Sequence, residues 1–465
     1  MTDLTLHNQP DATAMLEQMR TGECTSKQLV KASLERLRFV NPILNAATQV
    51  FAEQALAAAE NPIAGPLSGL PITLKETYAL AGEQITIGSR RMQPIQCSKD
   101  APVVERLKAA GAIVIARSNV PEFVMTAETD NLRFGRTNHP KDQRLVPGGS
   151  TGGEGALVAS GVSPMGFGTD ILGSIRIPAA FCGLVGFRPH SEAINKTSVY
   201  PQSGSYFETF NGIGPLTRSV RDARLAYSVI ADTPPQPLAS ISGLQLIAPR
   251  NYPFEAKDQC INSAYEAALK ELQVAGMSKH EPVFNDIKTL FMHVPKLVTG
   301  EMISTWKKWL SSEGKPFSTI SEALRQITGR PTVQPGFFLW LSLIHCLYRP
   351  RGQAELASVI ETYEQARKHY RQLMGPDGIL CLPTLGMLAP EHGAMNKATL
   401  MKPGLNKQIT AHTLVNILDL SSITVPARGF ADKKTGLLPG IMLAAVPGNE
   451  GALLDVAAVL EKALR

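Results

Sequence analysis

The chain of 465 residues is short of the features that would place it in several large protein classes. No stretch reaches the ~18 consecutive apolar residues that a membrane-spanning helix needs; the nearest approach is 337–347. Residues 1–10 are polar and hold no apolar run behind a basic start, so no secretory leader is expected. Cysteine is sparse, at six residues (Cys24, Cys97, Cys182, Cys260, Cys346, Cys381), with no Cys-x-x-Cys pair. That spacing argues against a disulfide framework and against a zinc site, and reduced thiols in the cytoplasm are the expectation. The net charge of +6 is dispersed, without a run of five Lys/Arg, which excludes the basic tract of a nucleic-acid binder. No His-Glu-x-x-His occurs among the nine histidines, and neither a metal nor an organic cofactor is implied. His392 and His412 are expected in surface or capping roles.

The composition that remains, 44% hydrophobic and 18% charged, is that of a folded protein with a substantial core. The length exceeds the usual single-core limit of about 250–300 residues, so either several domains or one large α/β sheet must be considered. Residues 1–60 read as helical: 11–20, then 25–40 capped by Thr25 or Ser26 and ended by Asn41-Pro42, then an Ala-rich helix over 51–60. From 61 onward strands and helices alternate. A strand is expected over 70–74, a helix after Asp100-Ala101-Pro102, a strand over 112–116, a helix over 359–374, strands at 379–382 and 423–426, and a final amphipathic helix over 451–464. The expected architecture is one α/β domain over 61–465, a large mixed sheet covered by helices on both faces, with the N-terminal helical segment packed on it.

Glycine is concentrated where the chemistry is expected: 11 of the 38 glycines fall in the 39 residues from Gly148 to Gly186. Such clusters form where backbone must approach backbone or ligand closely. Ser150, in Gly148-Gly149-Ser150-Thr151-Gly152-Gly153, and Ser174, in Gly173-Ser174-Ile175-Arg176, both sit in tight glycine settings. An isolated Gly-Ser is ordinarily a turn or a helix cap. A nucleophilic serine needs a turn that exposes its oxygen beside free N–H groups, which the backbone of Ile171, Leu172, Gly173 and Ser174 can supply as an oxyanion hole. A phosphate cradle lacks its Gly-x-x-x-x-Gly-Lys-Ser/Thr. Gly148-Gly149-Ser150-Thr151-Gly152 satisfies the Gly-x-Ser-x-Gly of a nucleophile elbow, yet the polar 138–144 segment before it is no buried strand.

Gly148-Gly149-Ser150-x-Gly152-Gly153, followed by Gly168-Thr169-Asp170-x-x-Gly173-Ser174-Ile175-Arg176-x-Pro178, resembles the amidase signature family. Around Gly152–Leu157 and Phe134–Pro140 it is most similar to the fatty acid amide hydrolase branch. The resemblance runs from about 70 to 189 and resumes near 377–390, 421–429 and 436–447. It implies a serine hydrolase acting on amide or ester bonds of small, lipid-like substrates. Ser174 would be the nucleophile, Ser150 the relay and Lys75, at the end of Leu70–Leu74, the base. Burial at a strand end penalises the charged amine and can bring a lysine into the range of a base. Alone, such a lysine reads as a solvated strand end. Asp170, Arg176 and Thr151 are read as support, the first two as a buried pair holding the turn.

Two departures stand out: Thr151 replaces a common serine, and Leu172 a common glycine. If that position needs positive φ, Leu172 is strained and the oxyanion geometry altered. That leaves an inactive binding or scaffold relative, or a glutamine-amidotransferase component of a tRNA-charging complex, as alternatives. The diverging section 250–350 holds all three tryptophans. Core packing of helices is the ordinary explanation; the sharper one makes Trp306, Trp309, Phe337 and Trp340 a substrate-pocket wall, with 336–348 as a cap open to peripheral membrane contact. A homodimer is a further expectation, with no surface assigned to it.

Overall fold

The computed structural model describes residues 2–6, 9–202, 204–238, 240–311, 315–395, 397, 408 and 410–465. The chain begins with three helices, α1 (Ala12–Arg20), α2 (Ser26–Leu44) and α3 (Ala52–Glu60). Asp11 caps α1 by accepting from Ala14 N at 3.0 Å, and Thr25 with Gln28 forms a capping box on α2. The expected stop at Asn41-Pro42 is not observed: α2 continues to Leu44 and ends at Asn45, φ 50°. Pro42 falls in the last turn, where its missing N–H forfeits one helical bond, and Asn41 Oδ1 takes the N–H groups of Ala46 and Ala47, both at 2.8 Å. Nor is this segment wholly helical. β1 (Ala47–Val50) forms an edge of the central sheet.

The strands that follow are β2 (Pro71–Lys75), β3 (Gln84–Ile85), β4 (Ile95–Gln96), β5 (Ile113–Ser118), β6 (Met165–Asp170), β7 (Val185–Arg188), β8 (Gly212–Thr217), β9 (Gln245–Ile247), β10 (Ser278–His280), β11 (Gly378–Pro383), β12 (Ser421–Pro426) and β13 (Gly440–Ala445). Eleven of these form one mixed sheet in the order β1-β5-β2-β6-β8-β7-β12-β13-β11-β9-β10, with β3 and β4 a separate hairpin. Strands β2, β6, β7, β8, β11, β12 and β13 are buried along their whole length, as required of strands covered on both faces. The cover comes from α4 (Pro102–Ala109), α5 (Gly152–Ala159), α6 (Arg176–Cys182), α7 (Val220–Ile230), α8 (Gln259–Val274), α9 (Ile287–Glu301), α10 (Ile303–Leu310), α11 (Thr319–Ile327), α12 (Pro335–Tyr348), α13 (Gln353–Met374), α14 (Thr410–Ile417) and α15 (Glu450–Ala463). The large mixed α/β sheet expected from the alternation is the observed fold.

One local feature decides where the chemistry goes. β2 and β6 are parallel neighbours, with Leu74 paired to Phe167, so their carboxyl ends lie side by side. Lys75 ends one and Asp170 the other. Helix α5 begins two residues beyond Ser150, and α6 two beyond Ser174. The glycines of β6 make this crowding feasible: a β-carbon at Gly166 would fall 2.1 Å from Glu154 Oε2, and one at Gly168 2.3 Å from Thr151 Cγ2.

Candidate active site

Lys75 is fully enclosed at the end of β2. Its Nζ lies 2.7 Å from Ser150 Oγ, 2.9 Å from Thr151 Oγ1, 2.9 Å from Thr169 Oγ1 and 3.4 Å from Thr169 O. All four neighbours are hydroxyl or carbonyl oxygens. Burial pushes the amine from 10.5 down to about 7, against the opposing pull of the Asp170 and Glu154 carboxyls. Glu154 is itself pushed up to about 8 by burial, and its carboxyl hydrogen-bonds the Thr73 hydroxyl. At neutral pH the interior therefore favours an uncharged acid near a partly uncharged amine. The peptide bond between Gly149 and Ser150 is cis. Thr151, where a serine was the expected residue, still brings a hydroxyl to the amine.

Ser174 stands at the head of α6. Its carbonyl accepts from Thr151 N at 3.2 Å, which ties the two serine-bearing turns together. Its hydroxyl makes no hydrogen bond with any described residue, Ser150 included, and the side chain lines a cavity of about 160 Å³. The relay is thus in hydrogen-bond contact from Lys75 to Ser150, while the Ser150–Ser174 step is not closed in this structure.

The turn before Ser174 is held by a buried ion pair. Arg176 donates from Nε to Asp170 Oδ2 and from Nη2 to Asp170 Oδ1, both at 2.9 Å, with both side chains fully enclosed. Burial alone would raise Asp170, but Arg176 overrides it and holds the carboxyl well below its usual range. Asp170 also accepts the N–H of Gly173 at 2.7 Å and of Ile175 at 3.1 Å. This alters the expected oxyanion set. The Gly173 N–H is engaged by Asp170, whereas those of Ile171, Leu172 and Ser174 donate to no described residue. Leu172 carries no positive φ; the left-handed residue of the turn is Gly173, at φ 102°, so the strain anticipated at Leu172 is absent.

The cavity wall beyond Ser174 is mostly apolar, with Phe291, Val294 and Val298 from α9 and Trp340 and Ile344 from α12. Of the four aromatic residues expected there, only Trp340 lines it. Trp306 is buried behind the wall and meets Phe337 edge-on and Trp340 at a tilt, with centroids 5.7 and 6.0 Å away. Phe337 and Trp309 pack on Phe123, at 5.5 and 5.7 Å. Trp306 and Phe337 are core, and Trp309 packs half-buried against it. The residues of α9 and the segment Val124–Ala127 belong to the cavity but carry no sequence signal beyond ordinary hydrophobicity. His412, expected at the surface, is buried on the same wall.

Fold and site together define an α/β protein built around a buried serine–lysine pair at the carboxyl ends of adjacent parallel strands, with a second serine on the wall of an apolar cavity. A model of the amidase family matches residues 28–454, and the chain belongs to that family, the amidase signature hydrolases. A glutamyl-tRNA(Gln) amidotransferase polypeptide of Carboxydothermus hydrogenoformans is 33% identical over 290 residues, 57% of this chain and 59% of that protein. The aligned stretch thus spans under two thirds of that relative. The solved structure of 6-aminohexanoate cyclic dimer hydrolase with its substrate superimposes with a TM-score of 0.81 at 23% identity, covering 98% of this chain and 97% of the other. A fatty acid amide hydrolase structure gives 0.77 at 21% identity, over 100% and 86%. The fatty acid amide hydrolase branch is therefore one of several similar proteins, and the particular likeness expected from the motifs is not singled out.

Proposed function

We propose that this chain hydrolyses carboxylic amides, and esters with them, through an acyl-enzyme on Ser174. The observation that carries the reading is the 2.7 Å contact between Ser150 Oγ and a buried lysine amine lowered to about 7. Neutral Lys75 accepts the Ser150 proton as Ser150 accepts that of Ser174. The Ser174 oxygen then adds to the carbonyl carbon, and the N–H groups of Ile171, Leu172 and Ser174 receive the charge on the carbonyl oxygen. Collapse breaks the C–N bond while the same route returns the proton to the departing amine. Water then attacks the acyl-enzyme by the same relay and releases the acid. Thr151, Asp170 and Arg176 hold the two turns in register.

The apolar cavity supports fatty-acyl or other hydrophobic amides as substrates. Its volume of about 160 Å³ is close to that which takes up one benzene ring, so a short aliphatic or aryl group fits the enclosed part. A fluorophosphonate probe followed by peptide mapping tests the assignment: labelling at Ser174, abolished in Ser174→Ala, is the expected result, and labelling at another residue overturns it. A panel of primary amides, anilides and N-acyl amines of graded chain length then reads the acyl preference.

The amidotransferase relative favours a second reading, a component that hydrolyses glutamine within a complex. A lone purified chain that turns over hydrophobic amides and ignores glutamine removes it. No described helix is long and apolar enough to cross a membrane. Exposed apolar side chains do occur on α11 (Ile320, Leu324, Ile327) and α12 (Leu339, Leu347), and Lys307, Lys308, Arg325 and Arg330 of the same part of the chain are exposed as well. That combination supports peripheral contact with an anionic lipid surface, and co-sedimentation with phosphatidylserine vesicles checks it; self-association through the stripe would appear instead as a homodimer in light scattering. The six unpaired cysteines fit a cytoplasmic setting.

A further inference from the structure

Among the side chains on the cavity wall, His412 is held with unusual firmness for a residue outside the proposed relay. Its carbonyl accepts from Arg176 Nη1 at 3.0 Å. One helical turn later, Asn416 accepts from Arg176 Nη2 at 2.5 Å and donates to Asp170 Oδ1 at 2.9 Å. The first turns of α14 are therefore bolted to the same buried ion pair that orders the Ser174 turn. The ring lies flush on Gly173: a β-carbon there would meet His412 Cδ2 at 2.3 Å. Glycine at 173 thus makes room for the imidazole as well as for the turn.

The ring nitrogens have no hydrogen-bond partner among the described residues. His412 is 4% exposed, its Nδ1 is enclosed without a hydrogen bond, and Nε2, the atom bonded to Cδ2, bonds no described residue. An imidazole always presents hydrogen-bonding nitrogens, and burying them unpaired is costly, which makes such a ring a selective site for a polar ligand group. Burial, reinforced by the Arg176 guanidinium, lowers His412 to about 3 and keeps it uncharged. The Gly173 on which it rests is the immediate neighbour of Ser174, about 3.8 Å along the backbone. A polar group that reaches the ring while the scissile carbonyl sits at Ser174 must be close to that carbonyl.

Resting on the hydrolase reading above, we propose that His412 is a specificity-determining residue that hydrogen-bonds a neutral polar substituent on the carbon next to the scissile carbonyl. Amides of 2-hydroxy acids then bind in preference to plain acyl amides of the same length. A 2-ammonio group is disfavoured, because the described cavity lining holds no carboxylate and Asp170 behind it is already taken by Arg176.

Calorimetric titration of the Ser174→Ala chain with 2-hydroxyhexanamide and hexanamide tests this without turnover. The expected result is about tenfold tighter binding of the hydroxy amide, as for one neutral hydrogen bond. Adding His412→Phe removes the preference, and adding His412→Gln, which keeps a donor and an acceptor, restores part of it. Should the Phe variant fail to fold, His412→Leu gives the same reading. Equal affinity for the two amides, no binding of either, or a preference that survives loss of the imidazole overturns the proposal. Fluorophosphonate labelling of the wild-type chain is scored separately: labelled Ser174 without the preference sinks the role of His412 alone, and the preference without labelling sinks the catalytic reading alone.

Discussion

A lysine amine sealed among hydroxyl and carbonyl oxygens differs from one facing water mainly in how easily it gives up its proton. Lys75 is held at about 7, so its neutral fraction grows as pH rises through that value. The rate of acylation, read as kcat/KM, accordingly rises with pH around 7 and levels off about a unit above. Lys75→Arg keeps a cation at the site at every accessible pH. That variant loses the rising limb and at least ~100-fold in kcat/KM, the usual scale of a general base; a retained limb in the pH profile assigns the base elsewhere. Taken alone, Lys75 reads in the sequence as a strand-end lysine, and only the resemblance to the amidase signature made it the expected base. That Ser150, 75 positions on, would lie 2.7 Å from its amine follows from the pairing of β2 with β6.

Elements divide the aromatic residues of the middle section into two kinds of work. Helix α12 turns Gly336, Trp340 and Ile344 to the cavity, and Phe337 back toward Trp306 and Phe123. Trp306→Ala therefore removes packed core and costs about 3–5 kcal/mol, which denaturant unfolding measures. Trp340→Ala costs less, because its ring is partly open, and shifts the acyl preference toward bulkier groups in the amide panel. Equal stability losses in the two variants contradict this partition. Hydrophobic periodicity marks both tryptophans alike, since apolar character says that a side chain avoids water and not which neighbour it finds. The same limit hid β6. Its glycines lower strand propensity, and they are there because Glu154 and Thr151 press on that strand.

For the whole molecule, two buried groups of opposite sign shape the pH dependence of folding. Glu154, raised from 4.5 to about 8, contributes stability that is fully present below pH 4.5 and is lost as pH climbs to 8. Lys75, lowered from 10.5 to about 7, contributes stability that is full above 10.5 and is lost as pH falls to 7. The Glu154 contribution by itself falls with a slope of up to about 1.4 kcal/mol per pH unit between pH 4.5 and 8, and Lys75 opposes it above pH 7, so the decline is read as the difference between the wild-type chain and a Glu154 variant. Glu154→Gln, which keeps a hydrogen-bonding group for Thr73, flattens that decline; an unchanged slope in denaturant titrations at pH 5, 6.5 and 8 removes Glu154 from the account. The sequence by itself determined the large mixed α/β architecture, the N-terminal helices, the strands near 70, 112, 379 and 423, the two long C-terminal helices, and the residues that resemble the amidase signature, because hydrophobic periodicity, caps and short-range glycine spacing are local properties. Only the tertiary structure decided that Asp170 takes the Gly173 N–H, that three of the four aromatic residues stand off the cavity lining, and that His412 seats on Gly173. Those depend on which strand ends and helix faces meet across hundreds of residues, and contacts of that range are set by packing.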